Sequence, residues 1–568
     1  MKPTAPFFTE AHQRWLLPLL SVGTFFLLLG SRALNEPDEG RYSEIAREMI
    51  ETSDWLVPHF WYLPHLDKPP MTYWLVAVFM KLFGQNEWAV RLPVALAGIS
   101  GVWATFLLGC SIGGRRVGFW SALILQSSLL YFVMARMLTT DIFLTQFVAW
   151  AIYFFWRSWI TSKAKIFLAW HLAGWAAIAL GFLTKGPIAL AIPLVTLAVL
   201  VICCWKEFSG KKFLLGGLLG GPVLFLILVL PWFLAVFQRV PEAAHFMVLG
   251  QAAGHLLGTT IKNRHGSIFY FLGILVVGLL PWTFLLGWLW RRAHWRGLDA
   301  KSKDAWLLLN VWTIFTFVLF SLSQAKLPAY ILPIFPALAV FLAWRFFGDE
   351  HANESAPKIA WRICLAGSFL LPAVFPLLLK YTFHETLPSW LKWQTPVLAV
   401  IALLIFWLAR KWEWQIKTAF TIGLTWFGLM TVVAEIPLFE TSLKANQTLK
   451  PLGMALRENF QTGDVVVCWG KLPQGLAFYS STVINATNRP YFGGMDLTQV
   501  PFEFPGNRER LGKLFLPDET ALAELLQSEK HVLIVAFGNT MEQFQQNHTV
   551  APLHHITHAG QWELFSNH

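Results

Sequence analysis

The feature that most constrains this chain is a succession of apolar runs, each close to 20 residues long and separated by shorter polar segments. A helix rises 1.5 Å per residue, so roughly 20 apolar residues cross the ~30 Å hydrocarbon core of a bilayer. Runs of that kind lie near 14–32, 92–112, 117–134, 142–160, 166–183, 187–205, 213–237, 267–290, 305–323, 328–346, 359–380, 396–409 and 418–436. They predict a polytopic α-helical membrane protein with about 13 transmembrane helices. Segment 70–84 is apolar but only 15 residues long, and is expected to dip into the membrane without crossing it. The first run, Trp15–Leu29, is followed by no small-residue cleavage site and reads as a retained span.

Composition agrees with the membrane class. Only 14% of residues are charged, against roughly 25% in soluble domains. The net charge of +11 would suggest nucleic acid in a soluble protein. Here the basic residues are assigned to cytoplasmic loops, and no nucleic-acid partner is expected. With the N-terminus cytoplasmic, those loops carry Arg115-Arg116, Lys163 with Lys165, Lys211-Lys212, Arg291-Arg292 and Arg410-Lys411. A full crossing by 70–84 would turn Arg115-Arg116 outward. The five cysteines form no CxxC pair and no zinc spacing.

After residue 436 the character changes to polar stretches, turns, helical patterns near 446–459 and 518–528, and β-type runs at Val465–Trp469 and His531–Phe537. The expected organisation is a membrane domain over 1–436, with a first outer loop over 33–91, and a small outer α/β domain over 437–568.

The chemistry is sought among polar residues on the outer side. The first outer loop opens Asn35-Glu36-Pro37-Asp38-Glu39-Gly40-Arg41-Tyr42. Tyr42, Ile45, Ala46, Met49 and Ile50 then recur at helical spacing, which predicts an amphipathic helix lying at the membrane surface. Asp38 and Glu39 are candidate catalytic acids, although acids also suit the positive end of a helix dipole. Lys68, before Pro69-Pro70, is a candidate for gripping a lipid phosphate, although a lysine at an interface can simply snorkel. Arg136, Asp141, Lys185, His255, Arg264, Lys326 and Tyr330 are also assigned to outer span ends. Ionisable groups at membrane depth are functional candidates by default, and cations there can stabilise charge on a departing phosphate. The expectation is that acids and cations from distant stretches share one outer face.

Three function classes fit such a chain: an enzyme acting on a lipid-borne phosphate, a transporter or lipid flippase, and a sensor with an outer domain. A transporter predicts internal repeats and charges near the bilayer midplane. The charged motifs gather instead at one interface.

Asn35–Tyr42, Asp54-Trp55, Asp67-Lys68-Pro69-Pro70 and Tyr73-Trp74 resemble the bacterial branch of the protein O-mannosyltransferase superfamily, and within it the lipid A aminoarabinose transferases most. Arg91-Leu92-Pro93, Thr139-Thr140-Asp141, Thr184-Lys185-Gly186-Pro187 and Lys326–Pro333 match the same pattern in order. The resemblance implies a GT-C fold and a glycosyltransferase using sugar linked to undecaprenyl phosphate. The implied acceptor is lipid A or another envelope molecule, with membrane lipids as surroundings. By motif position it makes Asp38 the loop acid, Asp141 a second acid, Lys68 the carrier-phosphate lysine and Tyr330 a carrier-site tyrosine. The sequence departs from the pattern at His65-Leu66-Asp67-Lys68 and at Gly250–His255, where an expected arginine is missing; His255 or Arg264 are the candidate replacements. The resemblance fixes no cofactor and leaves a divalent metal open, since some relatives are thought to hold one, while the 16 histidines match no simple ligand spacing.

Overall fold

The structure, a computed structural model, describes residues 10–204, 211–247, 266–289, 298–348, 400, 448–495 and 504–568. The spans expected at 359–380 and 418–436, and all but residue 400 of that at 396–409, lie outside the described residues. By packing, the chain divides into two units. One comprises Met1–Leu28, Val94–Phe233 and Gly250–Ile436; the other comprises Leu29–Pro93, Leu234–Leu249 and Pro437–His568.

The first unit is helical. Among the described residues five helices are long and apolar enough to cross a membrane: Glu87–Ser127, Ala164–Lys185, Leu219–Arg239, Ala300–Leu322 and Pro328–Phe347. Glu87–Ser127 comprises two helices that meet at Gly113–Gly114, where Gly114 takes φ +84°, between the spans expected at 92–112 and 117–134. The span expected at 267–290 is not one straight helix. It runs as Tyr270–Gly278 and then a 3-10 turn, Trp282–Leu285, after Pro281, which has no N–H to donate. Helix ends that would leave bare carbonyls are capped by cations. Arg136 donates to the carbonyls of Thr24, Phe25 and Leu27 at 2.5–3.1 Å, at the end of helix Glu10–Phe26. Polar bonds also tie helices together, as where Trp159 Nε1 donates to Asp304 Oδ2 at 2.7 Å.

The second unit combines the first outer loop with the tail. Helix Asp38–Thr52 buries Tyr42, Ile45, Ala46 and Met49, as its spacing predicts. It does not, however, lie as an amphipathic helix with one wet face, because Glu44, Arg47 and Glu48 are buried as well. Burial of its polar face is offset by pairing: Arg47 holds Glu44 at 2.6 Å, and Glu48 accepts the Tyr62 N–H at 2.8 Å. Tyr62 follows strand β1 (His59–Phe60), which pairs antiparallel with β2 (Leu63–Pro64). Helix Met71–Phe83 has 13 residues, about 20 Å of rise, less than a bilayer core.

The tail forms a six-stranded sheet in the order β5-β4-β3-β6-β8-β7, where β3 is Val465–Trp469, β4 Tyr491–Gly493, β5 Phe515–Leu516, β6 Val532–Phe537, β7 His554–Ala559 and β8 Trp562–Ser566. Strands β3 to β6 pair in parallel, and β8 joins β6 antiparallel with Ile534 opposite Phe565. Central β6 is apolar throughout and covered on both faces, with Leu522, Met541 and Phe544 among its packing partners. Truncating its fully buried Ile534 to Ala should cost about 2–4 kcal/mol, read as a lower melting temperature of the purified full-length chain, while Glu563→Ala on the partly exposed side of β8 should leave it unchanged.

Candidate active site

The loop that carries the motif acids is shaped by one buried arginine. Arg91, fully buried near the start of helix Glu87–Ser127, spends all five of its N–H groups on residues 29–39. Nε and one Nη2 bond hold the Glu39 carboxylate at 2.9 and 2.8 Å. The other three bonds reach the carbonyls of Leu29, Arg32 and Ala33. Arg32 grips the same carboxylate from the other side at 2.7 Å, and the Asn35 N–H donates to it at 3.0 Å. Burial alone would raise the Glu39 pKa; the Arg32 and Arg91 charges overcome that and hold it well below the usual carboxylate range. Glu39, expected among the catalytic acids, is thus 1% exposed with its lone pairs engaged. It positions the loop and has no face left for substrate.

Asp38, next in sequence, is the opposite case. Its side chain is 43% exposed and accepts from Arg41 Nη2 at 2.6 Å, one helical turn on. In the same unit Lys68 Nζ pairs with Asp67 Oδ1 at 2.9 Å. Burial would raise Asp67; Lys68, His65 and Arg41 outweigh it and keep the carboxylate ionised. Burial pushes the neighbouring His65 imidazole down to about 3, so it is neutral. His65 Nε2, Thr72 Oγ1 and Tyr73 Oη are buried without a hydrogen-bond partner. Groups of this kind normally find one, so this corner has bonding capacity to offer a polar ligand.

Glu36 anchors the loop to the tail. Its Oε2 accepts the Gln474 N–H at 2.9 Å. Beside it Gly40 and Gly475 cross so closely that a Cβ on Gly40 would lie 2.8 Å from Gly475 Cα. Burial of the carboxyl raises its pKa to about 8, against the lowering pull of the Gln474 and Gly475 N–H groups and of Arg41. The Leu34 N–H donates to Tyr479 Oη at 2.7 Å.

The helical unit holds its own cluster. Asp141, 5% exposed in the first turn of helix Thr140–Trp159, pairs with Lys185 at the end of helix Ala164–Lys185, Nζ to Oδ1 2.5 Å. The Lys185 ammonium lies 4.4 Å from the centre of the Tyr330 ring. Lys326, expected to hold donor phosphate, is buried and caps a helix: Nζ donates to the carbonyls of Phe320 and Ser321 at 3.0 and 2.6 Å, at the end of Ala300–Leu322. His255 and Arg264 lie outside the described residues. Among the described residues no three His, Cys, Asp or Glu side chains come together as a metal would require. The exposed acid Asp38 is already paired with a cation.

Residues 67–234 match the family model described as dolichyl-phosphate-mannose-protein mannosyltransferase. The undecaprenyl phosphate-alpha-4-amino-4-deoxy-L-arabinose arabinosyl transferase of Aeromonas salmonicida is 30% identical over 82% of this chain and 86% of its own length. This chain belongs to that transferase family. The Edwardsiella ictaluri protein of the same name is 34% identical over a stretch that spans 60% of each chain. A crystal structure of ArnT from Cupriavidus metallidurans bound to undecaprenyl phosphate covers 99% of both chains with a TM-score of 0.80 at 23% identity. That likeness establishes the GT-C fold of a multi-pass membrane protein.

Within the family's motifs, sequence reasoning passed over Arg41, Asp67 and Glu36 as site residues, and counted Lys185 among the outer-face cations without giving it a place in the site. The signal for Arg41 was its i+3 spacing from Asp38. Two outcomes follow from the charges. Glu39→Gln leaves the buried Arg91 uncompensated and should cost about 3–5 kcal/mol of stability, measured by thermal unfolding. Between pH 4.5 and about 8 the folded chain keeps a proton on Glu36 that the unfolded chain has lost. The stabilisation is complete below that window and is lost as pH rises through about 8. The melting temperature of Glu36→Gln relative to wild type should therefore climb from pH 5 to 8 and level off above; a difference independent of pH would contradict the buried proton.

Proposed function

We propose that this chain is a glycosyltransferase that moves 4-amino-4-deoxy-L-arabinose from undecaprenyl phosphate to a phosphate of lipid A, on the periplasmic side of the bacterial inner membrane. In this reading about 13 spans carry the periplasmic loop 33–91, and residues 437–568 are periplasmic too. The observation that carries the reading is selective exposure. Of the acids between Glu36 and Glu48, Glu39, Glu44 and Glu48 are buried in structural bonds, Glu36 bonds the tail, and Asp38 keeps a 43% exposed side chain paired with Arg41.

The reaction is a direct displacement at the sugar's anomeric carbon. An acceptor phosphate oxygen forms the new C–O bond, the bond to the carrier phosphate breaks, and undecaprenyl phosphate leaves with the electron pair. A phosphate acceptor is already nucleophilic, so Asp38 orients the reactants and steadies positive charge developing on the sugar. Lys68, whose side chain is 17% exposed on its Asp67 partner, holds the departing phosphate as a point charge. Arg41 fixes the Asp38 rotamer through its 2.6 Å bond. Asp141 is the second acid, held by Lys185, and Tyr330 is a carrier-site residue beside that lysine. The description of the matching family model names transfer to protein; in that second reading the acceptor is a protein Ser or Thr hydroxyl and Asp38 serves as general base.

Release of labelled sugar from the undecaprenyl phosphate carrier by the purified full-length chain tests this. Asp38→Asn should lower turnover by about 100-fold or more, and Lys68→Ala by about 100- to 1,000-fold. A wild-type chain that moves the lipid across vesicles but never cleaves it would show a flippase.

A further inference from the structure

Residues 473–479 of the tail touch the motif loop on both sides of Asp38. Upstream, Leu34 N–H bonds to Tyr479 Oη at 2.7 Å, and Glu36 Oε2 accepts from Gln474 N–H at 2.9 Å. Downstream, Gly40 and Gly475 pass backbone to backbone: a Cβ on Gly475 would sit 3.0 Å from Gly40 Cα and 2.5 Å from Glu36 Oε1. Tyr479 Oη also lies 3.4 Å from Glu87 Oε1, which Lys450 Nζ, at the start of helix Lys450–Asn459, holds at 2.7 Å. The tail therefore fixes residues 34, 36 and 40, while Arg91 fixes 29, 32, 33 and 39. Asp38 is left between two sets of constraints, with its own carboxylate held by Arg41.

We propose that the tail turn Gln474-Gly475, clamped on Glu36 and Gly40, is a positioning element for Asp38, so that the tail is part of the catalytic apparatus and not an independent module. The proposal rests on the reading of Asp38 as the loop acid. Catalytic placement is steep in distance: a shift of about 1 Å costs on the order of 100-fold in rate. A methyl group on Gly475 meets the Glu36 carboxylate first, at 2.5 Å, and then the Gly40 backbone, at 3.0 Å, so it both displaces the clamping carboxylate and presses on the loop backbone. The loop at Gly40 lies two residues from Asp38, so relief of that strain moves the acid. Substrate grip is assigned elsewhere, to Lys68, which bonds Asp67, whereas a Cβ at Gly40 or Gly475 meets Glu36 and the facing glycine.

The test uses the purified full-length chain, with turnover of an undecaprenyl phosphate-linked sugar, affinity for undecaprenyl phosphate alone, and melting temperature measured side by side. Gly475→Ala should lower kcat tenfold or more while carrier affinity stays within about twofold of wild type. Glu36→Ala, which removes the acceptor without crowding the backbone, should lower kcat in the same direction. Glu36→Gln, which keeps an oxygen for the Gln474 N–H, should recover most of that loss. A folded Gly475→Ala or Glu36→Ala chain with wild-type kcat overturns the proposal, as does a loss confined to carrier affinity. Asp38→Asn run in parallel separates the two claims. If it abolishes turnover while the clamp variants do not, the clamp alone fails; if it keeps full turnover, the role given to Asp38 fails first.

Discussion

The buried pairing of Arg91 with Glu39 is the constraint on which the motif loop depends. A guanidinium is among the costliest groups to remove from water, and it is tolerated here because each N–H meets an acceptor and the opposing charge lies within 3 Å. Arg91 therefore gathers three carbonyls of a turn that has no regular backbone bonding of its own. With Glu39 consumed by that task, its neighbour Asp38 starts a helix with its carboxylate outward. A protein that needs one exposed acid at a defined place can obtain it by burying the acid beside it.

The same economy recurs among the cations. Arg136 and Lys326 sit at span ends, where a sequence reading makes them phosphate ligands, yet both cap the terminal carbonyls of helices. In an apolar medium a bare helix end is expensive, and a long cationic side chain relieves it. Lys68 and Lys185 differ in what they meet: each pairs with a carboxylate and retains donors. Burial and partner, more than residue type, divide structural cations from those free to act.

Much of the membrane architecture was legible because hydrocarbon thickness sets a length that apolar runs must meet. The helices at 164–185, 300–322 and 328–347 follow runs read directly from the sequence. The break at Gly113-Gly114 falls between two runs read as separate spans, whereas at Pro281 hydropathy averages over the interruption, so a 3-10 turn was missed. In the tail, Val465–Trp469 and Val532–Phe537 stood out as apolar runs, whereas β4, β5 and β7 are too short or too polar to announce themselves. Motif position pointed to Asp38 and Asp141 but could not tell Glu39 from Asp38, because that difference is made by Arg91, 52 residues away. Nor could it show Glu36 bonded to Gln474, 438 residues on. Contacts of that separation leave no local pattern.

The most direct measurement is the mass of lipid A from cells that lack the chain, carry it, or carry it with Asp38 replaced by Asn. A transferase of the proposed kind adds to lipid A the mass of one aminopentose residue in cells with the intact chain, and that species is absent or much reduced in the other two. Lipid A of identical mass in all three, with the undecaprenyl phosphate-linked aminoarabinose present in the membrane, would contradict it.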